Sequence, residues 1–127
     1  MTKLDQNILN GFYGSETFTR HWLCRRLIWT EGVNYLVENG CAWLIDAIAS
    51  YQNSKRLRTE DLQNMQFWTL KVDLANHSAL LFCTDGNSKK HVITQKIEYT
   101  DCNLPEVVIW LERNGENGLT AMLPQER

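Results

Sequence analysis

The chain lacks most of the patterns that indicate a specific chemistry. Its four cysteines and three histidines form no C-x-x-C, H-x-x-x-H or H-E-x-x-H spacing, so we expect no metal site and no cofactor. Its seven glycines are scattered among predicted turns and form no phosphate-binding loop. No run approaches the roughly 20 apolar residues of a membrane-spanning helix. The polar start, MTKLDQNILN, has no apolar signal core. We therefore expect a cytosolic protein without a membrane partner.

An excess of charge of one sign is also lacking. Thirteen Lys and Arg against fifteen Asp and Glu give a formal net charge of −2. Dedicated nucleic-acid-binding domains usually carry a strong basic excess, so the overall charge argues against that class and leaves only a local basic patch. With 127 residues, 43% of them hydrophobic, the chain is long and apolar enough for one domain with its own core.

Aromatic residues are abundant by contrast, with five Trp, four Tyr and four Phe. They supply large core anchors, and any that remain on the surface favour a partner interface. The four cysteines are widely spaced, and each lies within or beside an apolar run. This pattern is typical of reduced core residues. They are Cys24, Cys41, Cys83 and Cys102.

The period of the apolar pattern changes near the middle of the chain. Residues 31–52 carry a helical apolar stripe, with Thr30 as a candidate N-cap. From residue 67 onward, short β-rich runs alternate with turn pairs. The switch predicts an α+β fold in a single domain, 1–127. A helical layer, about residues 3–65, would pack on a mostly antiparallel sheet of about five strands, residues 66–124.

Alternation and turn chemistry predict the positions of these strands. The Asp85-Gly86-Asn87 and Asn114-Gly115 sequences favour hairpin turns, so we expect strands that are neighbours in sequence to pair as antiparallel hairpins. The predicted strands are 67–74, 79–84, 91–99, 107–112 and 119–123, with Trp68 on the buried face.

Two segments leave alternatives open. Residues 17–29 fit either an amphipathic helix or an alternating strand, and we favour a helix that ends in an extended stretch at 27–29. Asn39-Gly40 is a helix stop signal within an otherwise continuous apolar face, and we favour two helices with a break there. Either alternative for the second segment turns the same apolar side chains towards the sheet: Leu44, Ile45 and Ile48.

The densest mixture of cations and aromatics in the chain lies within residues 17–29. Such a mixture suits stacking and phosphate contacts, or an anionic small molecule. It equally suits an ordinary amphipathic element whose arginine stems cover apolar surface. The candidate binding residues are Arg20, His21, Trp22, Arg25 and Arg26.

Candidates for catalysis have simpler structural interpretations. Asp46 interrupts an apolar run and is either a catalytic acid or a residue of the polar helix face, with Ser50 and Asn53. Cys24 is either a nucleophile beside His21 on one helix face or a small core residue. We favour the structural interpretation for both and assign no catalytic residue.

Several motifs resemble an uncharacterised family of small bacterial, cyanobacterial, plasmid and phage proteins. The most specific is WLIDAIASYQ at residues 43–52; the others are TEGVxYL at 30–36, FWxL at 67–70 and YTDxxLP at 99–105. The resemblance covers about residues 10–125. Because this family has no established activity, no residue inherits a role. The resemblance implies a mobile-element context, in which accessory genes often encode small binding proteins or inhibitors.

These observations predict a small cytosolic binding protein whose partner is a protein, with inhibition of a host defence protein as one form of that function. The alternative is a nucleic-acid or anionic-ligand binder that uses the arginine and tryptophan cluster. A weaker alternative is an enzyme that uses Asp46 and His21. The sequence leaves the identity of the partner and the oligomeric state open.

Overall fold

A mixed sheet organises the fold of the residues that the computed structural model describes, which are 3–14, 16–86 and 90–127. Within them the sheet has seven strands in the order β1-β2-β7-β6-β3-β4-β5. The strands are β1 (Thr19–Arg20), β2 (Leu27–Trp29), β3 (Met65–Asp73), β4 (Ser78–Thr84), β5 (Ile93–Ile97), β6 (Glu106–Asn114) and β7 (Gly118–Met122).

Helices cover one face of this sheet. They are α1 (Gln6–Leu9), α2 (Glu31–Leu36), α3 (Ala42–Ser50) and α4 (Glu60–Asn64). The predicted cap of α2 is confirmed, since the Thr30 hydroxyl accepts the N–H of Val33 at 3.3 Å. The carboxylate of Glu126 also lies at this helix start, where it accepts the N–H of Gly32 at 3.2 Å. No helix in the described ranges is long and apolar enough to cross a membrane.

The predicted break between α2 and α3 is confirmed. A kink within Val37–Cys41 separates the two helices, and Gly40 within it has φ 103°. This left-handed conformation is accessible to glycine without the steric cost that a Cβ adds. The Asn39 amide donates to the Tyr35 carbonyl at 2.8 Å and so satisfies a backbone acceptor at the end of the first helix.

The core lies between the helices and the inner face of the sheet. Trp68 is buried at the centre of β3, opposite Cys83 on one neighbouring strand and Ile109 on the other. The apolar face predicted for the second helix is buried as expected, and its members belong to the same core cluster as Trp68. They are Leu44, Ile45 and Ile48.

The preference for a helix in residues 17–29 is wrong, although the extended end at 27–29 is confirmed. The chain forms β1, reverses direction, and returns as β2, which pairs in parallel with β7. This pairing buries Leu27 and Trp29 on the inner face. The parallel partner lies about 90 residues further along the chain, so a local pattern does not reveal it.

The prediction of five antiparallel strands is also partly wrong. The five predicted segments all contain strands. Strands β1 and β2 add to them, although both lie in the part of the chain predicted to be helical, and the parallel pairing of β2 makes the sheet mixed. Strand β6 pairs with β3 and not with its sequence neighbour β5. Both β3 and β6 have nine residues, so their pairing forms a longer ladder than the five-residue β5 offers.

The turns between the predicted strands follow the expected chemistry where the structure describes them. Gly86 and Gly115 have φ 82° and 69°, so both occupy the left-handed region that hairpin turns favour. Asn87, which completes the first predicted turn motif, lies outside the described residues.

Candidate functional site

The five candidate binding residues lie on one β-hairpin, residues 19–29, which we call the Trp22 hairpin. Strands β1 and β2 pair antiparallel, with Thr19 opposite Trp29. The N–H of His21 donates to the Leu27 carbonyl at 2.9 Å and extends the ladder by one bond towards the tip. The turn is closed by a second bond of 2.9 Å, from the Leu27 N–H to the Cys24 carbonyl. The tip therefore has a defined backbone path.

His21 lies beneath the tip and holds it in place. Only 3% of this residue is exposed. Its Nδ1 accepts the N–H groups of Leu23 and Cys24 at 3.2 and 2.9 Å. Its Nε2 lies 2.8 Å from Asp46 Oδ1 on α3. Because Nδ1 accepts two bonds, the ring proton is on Nε2 and is donated to the carboxylate. Neither ring nitrogen is free for proton transfer to another group.

Two large apolar side chains project from the tip. Trp22 and Leu23 are 73% and 70% exposed. The Trp22 ring stacks on the His21 ring, with 6.0 Å between centroids and 25° between planes. Adjacent exposed apolar residues of this size are typical of contact surfaces. A Trp that becomes buried in an interface contributes strongly to the free energy of binding.

The three arginines of the Trp22 hairpin differ in how their guanidinium groups are used. Arg20 donates from Nη1 to the Arg25 carbonyl across the turn. Arg26 is half-buried and donates from Nη2 to the Gln52 carbonyl at 2.9 Å, beyond the end of α3. Arg25 is exposed, and its guanidinium group forms no hydrogen bond or ion pair with the part of the chain that the structure describes. Arg25 is thus the cation most available to a partner.

Asp46 lies on the polar face of α3, as the structural interpretation predicted. Its side chain is 58% exposed although it contacts His21. Ser50 and Asn53, the other residues of the predicted polar face, are also exposed. Cys24 is half-buried with a free thiol, and His21 accepts its backbone N–H. The pair of His21 and Asp46 therefore ties the hairpin to the helix layer.

Comparison with known proteins identifies the family. The model of a family described as a family of unknown function, DUF6876, matches residues 3–127. The chain belongs to DUF6876. The matched region includes the Trp22 hairpin and Asp46. No curated protein and no solved structure matches the chain.

A groove of about 500 Å³ lies beside the hairpin of this DUF6876 chain. Its apolar lining comes from Phe18, Ile28 and Met122. Ile28 is the β2 residue between the two inward-facing ones, so the groove is on the outer face of the sheet. No local sequence pattern indicates this groove, because its walls come from both ends of the chain. At the rim, Arg127 Nε donates to Glu112 Oε2 at 2.9 Å.

Proposed function

We propose that this DUF6876 chain is a binding protein that contacts a protein partner through the tip of the Trp22 hairpin. The observation that carries the proposal is the exposure of Trp22 and Leu23 on a turn that buried His21 holds in position. A turn that is already ordered before binding loses little conformational entropy when the partner arrives. Its apolar side chains therefore contribute most of their burial energy to affinity.

The charge of the hairpin indicates the chemistry of the partner. Residues 17–30 contain three arginines and no acidic residue, in a chain whose net charge is −2. A complementary surface has an apolar pocket for Trp22 and Leu23, with carboxylates at the rim for Arg25. We propose a partner protein with such a pocket.

Replacing Trp22 with alanine is expected to weaken capture of this partner. Loss of a central Trp anchor costs about 2 kcal/mol or more, which corresponds to at least about a 30-fold increase in Kd. The test immobilises the chain, captures proteins from the native host, and then measures affinity for the captured protein. Tyr99→Ala is the matched control, since Tyr99 is also 73% exposed but lies outside the hairpin. Equal affinity of the two variants would contradict the proposal.

The nucleic-acid alternative predicts a different pattern in the same assay. Phosphate contacts depend on free cations, so Arg25→Ala would then weaken binding more than Trp22→Ala, and affinity would fall steeply with salt. A protein partner predicts the reverse order and a shallow salt dependence. The hydrogen bonds of Arg20 and Arg26 to backbone carbonyls support the protein partner, because each holds its guanidinium group against the chain and leaves Arg25 as the one hairpin arginine whose side chain has no such bond among the described residues.

The role of His21 as a scaffold is tested by two substitutions. His21→Ala leaves two backbone N–H groups without their acceptor, which costs about 1–3 kcal/mol of stability and weakens capture by disordering the tip. Asp46→Asn retains a carbonyl oxygen as acceptor for Nε2–H, so capture is expected to persist. Urea denaturation and the capture assay measure both effects. If an enzyme used these residues in catalysis, both variants would lose turnover. If His21 only holds the tip in place, the Asp46→Asn variant keeps its capture of the partner.

The mobile-element context implied by the sequence resemblance extends the proposal to an inhibitor of a host defence protein. In that case, expression of the wild-type chain in the native host increases plaque formation by a phage that the defence restricts. The Trp22→Ala variant, expressed at the same level, leaves plaque formation unchanged. Equal plaque numbers with and without the wild-type chain would restrict the proposal to binding alone.

A further inference from the structure

One edge of the sheet is open. Strand β5 is the last strand in the order of the sheet, and it pairs only with β4 in the part of the chain that the structure describes. In such an edge strand, every second residue directs its N–H and C=O groups away from the sheet. These groups are complementary to the backbone of another extended chain, so the edge can accept a further strand. The opposite edge, β1, has only two residues, against five in β5.

The side chains of β5 alternate between the two faces of the sheet. Ile93 belongs to the core, and Ile97 packs against it from the same inner face. Gln95 lies between them on that face. Thr94 and Lys96 are exposed on the outer face. The strand therefore has nearly the same pattern in both directions, with isoleucine at each end, glutamine at the centre and a polar residue between.

We propose that β5 is a self-association edge, where it pairs antiparallel with β5 of a second copy of this chain about a two-fold axis at Gln95. In this register Ile93 lies opposite Ile97 of the second copy, and Thr94 lies opposite Lys96. Symmetry makes each of these pairs occur twice. All five residues of the strand then take part in the ladder, and no like charges lie opposite each other.

Other two-fold registers form shorter ladders. An axis one residue away from Gln95, at Thr94 or at Lys96, reduces the overlap of the two strands to three residues. The axis at Lys96 also places the two ammonium groups opposite each other, which is unfavourable. Lys96 therefore selects the register centred on Gln95.

The side chain of Gln95 adds a polar contact at the axis. Its Oε1 accepts the hydroxyl of Tyr51 at 2.6 Å, whereas its Nε2 has no hydrogen-bond acceptor within the described ranges. Directly opposite residues of an antiparallel pair have Cβ atoms about 5 Å apart. An amide oxygen can accept two hydrogen bonds, so the Nε2 of each copy can donate to the Oε1 of the other.

The edge contact is small and is separate from the proposed function. Five residues on each side bury less than the roughly 1,200 Å² of a standard interface, so the dimer is weak and depends on protein concentration. Strand β5 lies at the other end of the sheet from the Trp22 hairpin. Pairing at β5 thus leaves both hairpin tips of the dimer exposed.

Sedimentation velocity over a concentration series tests self-association of the intact chain. We expect the weight-average mass to rise from the 14.8 kDa of one chain towards twice that value as the concentration increases. A single species of 14.8 kDa up to the highest soluble concentration would overturn the proposal.

Charge substitutions on the exposed side of β5 test the register. Thr94→Lys places lysines opposite each other at two positions of the ladder, so the Kd of the dimer is expected to rise about tenfold. Adding Lys96→Glu to this variant replaces each like-charge pair with an opposite-charge pair, and association should recover. Circular dichroism verifies that each variant is folded.

Thr19→Lys is the matched control, because it adds the same charge at an exposed position of the other edge strand, β1. This variant is expected to associate as the wild type does. A dimer that Thr94→Lys leaves unchanged, or that the second substitution fails to restore, would show that the contact lies elsewhere and would overturn the proposal.

Discussion

Replacing Gln66 with alanine is expected to lower the free energy of unfolding by about 3–5 kcal/mol. Gln66 and Gln52 are buried and form a reciprocal amide pair, with bonds of 2.9 and 3.0 Å. Gln66 Oε1 also accepts the indole N–H of Trp68 at 2.9 Å, and its Nε2 donates to the Leu62 carbonyl at 3.1 Å. Truncation removes these bonds from the Gln52 amide, the Trp68 indole and the Leu62 carbonyl, and it opens a cavity in the core.

Urea denaturation followed by tryptophan fluorescence measures this change. Gln6→Ala is the matched control, because Gln6 forms an amide–amide bond with Asn10 at 2.9 Å but is exposed. The control is expected to change stability by less than about 0.5 kcal/mol. A change equally small in Gln66→Ala would contradict the burial and hydrogen bonding assigned to the pair.

A double-mutant cycle resolves the coupling within the pair. Either single substitution, Gln52→Ala or Gln66→Ala, breaks both amide–amide bonds and leaves the other buried amide with only its bonds to groups outside the pair. The double variant removes both amides, so its destabilisation is expected to be smaller than the sum of the two single effects. Additive effects would show that the two amides act independently.

Replacing Ile45 with alanine is expected to destabilise the fold by about 2–5 kcal/mol. Ile45 is buried on the face of α3 that packs on the sheet, so truncation removes apolar burial and leaves a cavity. Ile8 on α1 is about half exposed and provides the same substitution in a different environment. Ile8→Ala should cost much less, and the two variants are compared by their denaturation midpoints. Equal midpoints would contradict the assignment of Ile45 to the core.

The sequence alone determined the features that depend on local backbone preferences. A Thr followed by an amphipathic stripe is sufficient to start a helix, and Thr30 caps α2 as predicted. Gly40, Gly86 and Gly115 occur where the backbone adopts positive φ, a conformation that side chains with a Cβ rarely accept. The family assignment and the positions of five strands likewise follow from short stretches of sequence.

The tertiary structure decided how these elements pair. Residues 17–29 fit either a helix or a strand, and we favoured a helix that ends in an extended stretch. Pairing of residues 27–29 with β7 in parallel makes that stretch a strand of the sheet. Strand β6 pairs with β3 because a nine-residue partner forms more ladder bonds than β5 does. Which strands pair depends on all the strands that the fold makes available as partners. A short window of sequence does not contain that information.

The candidate site shows the same division. Sequence composition identified the cation and aromatic cluster that includes Trp22, but exposure of its residues depends on the reversal of the chain after β1. The contacts of His21 with Asp46 and of Gln52 with Gln66 join residues that are distant in sequence. Side chains of this kind have many possible partners in an unfolded chain. Only the packing of helices on the sheet selects one, because burial penalises every polar group that remains unpaired.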